Sequence, residues 1–200
     1  MQGDLILSTA YFPPAEYFSL INSSVSVIIE QEENYIKQTY RNRCRILSSN
    51  GILILSVPVI KGSSLKARVK DVTIDYSKRW QQVHLRALIS AYSRSPYFQF
   101  YFESIENILL GNRKYLIDLN DELLFKCLEI LNINKCPAHT SFYRADSALD
   151  MDFRYRITPK SESVFTSRPY IQVFNSNKFV PGLSILDLIF NTGPESPQYL

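Results

Sequence analysis

Asn50-Gly51, set between two runs of strand-forming residues, narrows the folds open to this chain more than any other feature. Asn-Gly suits the two-residue turn of a β-hairpin, because both residues tolerate the positive φ that such a turn needs. With that pair in the turn, residues whose numbers sum to 101 face each other, and Arg45 lies opposite Ser56. Side chains alternate along each strand. One face then carries Cys44, Ile46, Leu53, Leu55, Val57 and Val59, and the other carries Lys37, Thr39, Arg41, Arg43 and Arg45. Neighbours on one face stand about 7 Å apart, close enough for several arginines to grip one pyrophosphate through bidentate hydrogen bonds. Parallel guanidiniums repel, so this face requires an anion or nearby acids. Glu30, Glu32 and Glu33 supply the alternative, an internal ladder of ion pairs.

The charge distribution points the same way. The net charge is only +3, yet residues 37–94 hold twelve basic side chains against Asp71 and Asp75, a local balance of +10, and the remaining chain carries −7. Such asymmetry steers an anionic ligand toward one region. The small overall charge argues against a long nucleic-acid track.

An apolar content of 46% gives this 200-residue chain enough surface to bury for one domain, read here as spanning residues 1–200. No apolar run reaches the 18 or so residues of a membrane span, and the N-terminus lacks a signal-peptide pattern, so a cytoplasmic protein is expected. Three cysteines without C-x-x-C spacing and two histidines suggest neither a disulfide framework nor a metal site, and no cofactor is expected.

Along the chain, Asp4–Tyr11 reads as a strand, Pro13-Pro14 opens a helix, and Val25–Glu30 reads as a second strand, a β-loop-α-β opening. The hairpin of 35–60, a basic loop Lys61–Lys70 and a short strand Val69–Asp75 follow. Helices are expected over Lys78–Ser93 with Val83 in its apolar stripe, from a Ser95 cap to Gly111, and from an Asn120 cap to about Asn132. The basic stretch 141–168, with Arg144, Arg154, Arg156, Lys160 and Arg168, reads as a lid or long loop. Tyr170–Phe174 reads as a strand and Ser184–Asn191 as a helix ended by Gly193-Pro194, with Asp187 closing a capping box on Ser184. The fold class is therefore α/β: a single domain with a central mixed sheet, a hairpin and several packed helices.

His84 follows Trp80 by one helical turn and is expected at the rim of the apolar face, where an imidazole titrating near neutrality suits proton transfer. The competing reading is a hydrogen-bonded core histidine. Tyr11 at the first loop suits stacking on a base or sugar, or core packing. Cys44 paired with His84 would make a thiol nucleophile, but the hairpin register puts Cys44 among apolar side chains.

AYFPPAEYFSLI (10–21), ENYIKQTYRNRCRI (33–46), the Trp80–His84 pair, AYSRSPYFQFY (91–101) and the closing LSILDLIFNTGPESPQYL together resemble the WbqC-like family, in its Bacteroidetes-type form. The resemblance brings in Asn42 beside Lys37, Arg41 and Arg43, and also covers Tyr11, Tyr40, Trp80, His84 and Asp187. It implies a bacterial protein encoded among genes for O-antigen, lipopolysaccharide or other surface glycans. The expected ligand is a phosphorylated small molecule such as a nucleotide-sugar, bound by Tyr11, Lys37, Arg41, Asn42, Arg43, Arg45 and Trp80, between the arginine face, the Trp80–His84 helix and the 141–168 segment. If the protein is a transferase, His84 is the expected catalytic residue. The alternative is a non-catalytic accessory protein that binds an acidic partner or another glycan-pathway protein.

Overall fold

This computed structural model describes residues 4–60, 67–143, 151–160, 165–174 and 178–200. The chain opens as expected, with β1 (Asp4–Ser8), α1 (Ala15–Ser23) and β2 (Ser26–Glu30) forming a β-α-β unit. β1 and β2 pair in parallel from Asp4↔Ser26 to Ser8↔Glu30, and a two-residue β5 (Ala138–His139) joins the far side of β2. Leu5, Ile6 and Leu7 are all buried, the continuous apolar pattern of a parallel strand covered on both faces. The free edge of β1 is covered by Met151–Phe153: Ile6 N–H donates to Met151 O and Phe153 N–H to Ile6 O, at 3.1 and 2.9 Å.

The hairpin consists of β3 (Arg43–Ser48) and β4 (Gly51–Ser56), which form a second, separate antiparallel sheet among the described residues. Its register differs from the expected one by two: Arg43, not Arg45, faces Ser56, and Ser48 pairs with Gly51. The cause lies in the turn. Asn50 does not adopt positive φ, whereas Gly51 does (φ +96°), so the turn residues are Ser49 and Asn50 and the glycine starts the return strand. Because the shift is even, every side chain within β3 and β4 keeps its expected face. The ribbon also starts later than expected. Residues 37–42 form turns and bends, with Gln38 at φ +62°, and the strand-like alternation through Lys37, Thr39 and Arg41 does not exist.

Three helices pack around the two sheets: α2 (Trp80–Tyr92), α3 (Phe98–Leu110) and α4 (Leu116–Ile130). Val83 departs from the expected stripe and is 61% exposed, because Trp80, His84, Leu85 and Leu88 define the buried face. Ser95 does not cap α3, which begins at Phe98 without a side-chain cap. Asn120 does not cap α4 either. It lies inside the helix, where its amide donates to Thr9 Oγ1 at 3.1 Å and to Arg41 O at 2.9 Å, partners far away in sequence. Val69–Asp71 is a 3-10 turn and not a strand, and Tyr170–Phe174 is irregular. α5 (Ile185–Thr192) forms as expected and sends Phe190 into the core against Tyr92 and Phe98, with ring centroids 5.3 and 5.1 Å apart. Most of the basic loop Lys61–Lys70, together with Arg144, lies outside the described residues. None of the described helices is long and apolar enough to cross a membrane.

Candidate functional site

A β-bridge and two backbone hydrogen bonds bring the starts of α1 and α5 together beside β3. Pro14 and Ser184 form an antiparallel bridge, Ile185 N–H donates to Pro13 O at 2.9 Å, and Ser184 N–H donates to Arg45 O at 2.7 Å. A cavity of about 500 Å³ opens at this junction. Its walls are the first residues of α1 (Pro14, Ala15, Glu16), Tyr40 and Arg45, the segment 157–160, the stretch around Phe165, Arg168 and Tyr170, and residues 179–184. The first-turn amides of α5 are taken by Pro13 O, Ser184 Oγ and Ser184 O, so what the two helix starts offer an anion is the positive ends of their dipoles.

The side chains reinforce that preference. Among the described residues, Arg45, Lys160 and Arg168 line the cavity with one carboxylate, Glu16. Arg45 projects from β3 and hydrogen-bonds Tyr40, whose phenol burial drives upward in pKa while Arg45 opposes the rise. Gly182 borders the same guanidinium at φ +68°, and a Cβ there would stand 3.9 Å from Arg45 Nη1. Arg168 Nη1 also donates to Gln198 O at 3.3 Å. Aromatic rings complete the wall: Tyr170 meets Phe179 and Tyr199 edge-on, at centroid distances of 5.1 and 5.6 Å. Cations and aromatic rings lining one cavity suit a ligand with a charged and a planar part.

Of the ligand-binding residues expected from sequence, Arg45 lines this cavity, and Tyr11, Lys37, Arg41, Asn42, Arg43 and Trp80 stand elsewhere. Arg41 is 3% exposed and points inward, where Nη2 and Nε meet Glu33 Oε1 at 2.6 and 2.9 Å and Nη2 also donates to Ser8 Oγ at 2.8 Å. Lys37 is exposed, and Arg43 is half-buried on the ribbon near Tyr35. Asn42 closes the base of the hairpin by donating to Val57 O at 2.8 Å. The shared arginine face is therefore corrected: Arg41 belongs to a buried ion pair, and only Arg45 reaches the cavity. The acids take up other cations in the same way. Glu32 pairs with Arg68 and Lys70, both at 2.7 Å, and these partners hold its carboxyl below the usual range. Glu30 pairs with Arg154 at 3.0 Å.

His84 is not at a rim. It is buried between Trp80, 5.1 Å away ring to ring, and the Tyr11 hydroxyl, 2.8 Å from Nδ1. Its ring also bonds the Ser56 carbonyl, and burial pulls its pKa down to about 4, so at neutral pH it is an uncharged core histidine. Burial likewise pushes the Cys44 thiol far up, away from a reactive thiolate. Asp187 makes no capping box, since its carboxylate turns to Tyr170 and Gln172 while the Ser184 hydroxyl alone caps Leu186 N–H at 3.3 Å.

Lys160 and Arg168 come from the basic stretch 141–168, whose composition was a usable signal. The described part of that stretch is docked: Arg154 grips Glu30 and Asp152, and Ile157, Thr158, Pro159 and Lys160 follow as cavity wall. Glu16, Tyr170 and the 179–184 wall had no distinguishing pattern in sequence.

The model of the WbqC-like protein family matches residues 9–162 and 157–199, ranges that include every cavity residue named above. Among curated proteins, "Uncharacterized protein Rv1507c" of Mycobacterium tuberculosis (strain ATCC 25618 / H37Rv) is 28% identical over 231 aligned positions, which cover 100% of this chain and 98% of that one. No solved structure matches. With the match running from the first loop through the closing helix, the chain belongs to the WbqC-like protein family.

Proposed function

We propose that this protein binds a phosphorylated small molecule, a nucleotide-activated sugar, in the cavity between α1, α5 and β3, and that it serves bacterial surface-glycan synthesis, such as that of O-antigen or lipopolysaccharide, in the cytoplasm. The observation that carries the reading is the meeting of two helix starts with Arg45, Lys160 and Arg168 in one cavity of about 500 Å³. The phosphates sit against the cations and the positive ends of the two helix dipoles, and the base or sugar ring against Tyr40, Tyr170 and Phe179. Family membership supports the surface-glycan setting. Group transfer to or from the activated sugar is the reaction class such a ligand implies, and Glu16 is the carboxylate that lines the site among the described residues.

A second reading, a non-catalytic accessory that docks another glycan-pathway protein, is favoured by β4. That strand pairs only with β3 among the described residues, and Ile52, Leu53 and Ile54 are 44%, 40% and 49% exposed along it.

A thermal-shift screen with nucleotide-sugars and polyprenyl-phosphate analogues tests the first reading. A ligand at about a hundred times its Kd stabilises by roughly 2.7 kcal/mol, and Arg45→Ala should abolish the shift while Arg43→Ala keeps it. No shift with any phosphorylated compound, together with capture of a pathway protein that Ile54→Lys abolishes, would favour the second.

A further inference from the structure

The cavity wall opposite α1 is organised by a carboxylate that does not touch the cavity itself. Asp187 sits in the first turn of α5, fully buried. Its Oδ2 accepts from the Tyr170 hydroxyl at 2.7 Å and from Gln172 Nε2 at 2.9 Å, and the Tyr92 phenol lies against the same group. Gln172, also buried, spends both ends of its amide on one distant residue. Nε2 donates to Val180 O at 3.0 Å, and Oε1 accepts from Val180 N–H at 2.9 Å. The side chain thus replaces the strand partner that Val180 lacks and fastens an irregular segment to the interior.

What is fastened is the wall. Tyr170, Phe179, Val180, Pro181 and Gly182 all line the cavity, and their placement runs through Gln172 and Tyr170 to Asp187. A fully buried carboxylate is costly unless its bonds do something that apolar packing cannot. Here they fix the direction of a phenol and the path of a loop. Of the three cations, Arg45 and Lys160 are carried by β3 and by the segment anchored at Arg154, outside this network, while Arg168 lies on the stretch that leads into Tyr170.

Resting on the cavity reading above, we propose that Asp187 and Gln172 are positioning residues: a buried clamp that holds the Tyr170–Phe179 wall in the shape that accepts the ring-bearing part of the ligand, leaving the phosphates to the cations. The clamp governs selectivity for a nucleotide-sugar over a bare phosphoanion.

The test is calorimetric titration of the full chain with UDP-glucose and with inorganic pyrophosphate. Gln172→Met and Asp187→Asn should each weaken UDP-glucose binding about tenfold while pyrophosphate stays within about twofold. Leu128→Ala, a truncation inside the α4 core, should lower Tm and leave both affinities unchanged. Tyr170→Phe, which deletes one hydroxyl and keeps the ring, provides a mild variant that folds if the others do not, with an expected loss of about threefold for UDP-glucose alone. Equal losses for both probes, or none for UDP-glucose, overturn the clamp. If the wild-type protein binds neither probe, the cavity reading falls and the selectivity claim falls with it. Hydrogen exchange then decides the clamp separately: Gln172→Met should speed exchange at the Val180 amide about tenfold or more, and an unchanged rate contradicts it.

Discussion

The Tyr11 hydroxyl and Nδ1 of His84 lie 2.8 Å apart inside the core, a bond that joins the first loop to α2. The His84 ring donates to the Ser56 carbonyl, so Nδ1 carries the lone pair and Tyr11 is the donor. Charging the ring reverses this bond, since Nδ1–H must then donate to the Tyr11 oxygen, and places a charge in the core.

The consequence is acid lability with a defined sign. An unfolded histidine titrates near 6.5 and folded His84 near 4, so between those values the unfolded chain binds more protons and stability falls as pH falls. About 3 kcal/mol is lost across that window. His84→Gln preserves a donor and an acceptor without a titrating ring, so the difference in unfolding free energy between wild type and variant should shrink by that amount from pH 7 to pH 4. A constant difference contradicts the buried neutral histidine.

The Arg154–Glu30 pair, both side chains 1% exposed, anchors the segment that delivers Lys160 to the cavity. Arg154→Met leaves Glu30 buried without its cation and should cost about 3–5 kcal/mol in chemical denaturation. Adding Glu30→Gln should restore a large part of the loss. A single variant as stable as wild type would show that the pair is not a buried anchor.

The three thiols should differ sharply. Cys44 and Cys127 are buried, with Cys127 pushed up to about 12, and Cys136 is exposed. Iodoacetamide on the native protein should give one adduct, at Cys136, by mass spectrometry. Rapid labelling at Cys44 contradicts the core packing of β3.

Gly193 ends α5 at φ +52°, and a Cβ there would clash with the Tyr97 ring. Gly193→Ala should cost about 2 kcal/mol or more, lowering Tm by roughly 5 °C. An unchanged Tm would show that the contact between the α5 end and Tyr97 is loose.

The parts of the fold that local pattern encodes were readable in sequence. The β-α-β opening and α5 follow from apolar periodicity, and the hairpin faces survived a register error because the shift was even. Residues whose polar groups are satisfied at long range were not readable. Asn120 looks like a cap until Thr9 and the Arg41 carbonyl are brought to it, and Asp187 looks like a capping box until Tyr170 and Gln172 arrive. The site followed the same division. Arg41 and Arg45 have equivalent positions in the alternation, yet Glu33 draws one into the core while the α5 start leaves the other at the cavity.

The central claim is that the anion binds at the α1–α5 junction. Backbone amide chemical-shift mapping during titration with UDP-glucose locates it directly. The largest changes should fall on Ala15 and Glu16, on Leu183–Leu186 and around Arg45, with Lys37 and Arg43 nearly silent. Changes concentrated at Lys37–Arg43, with the junction unmoved, would contradict the account.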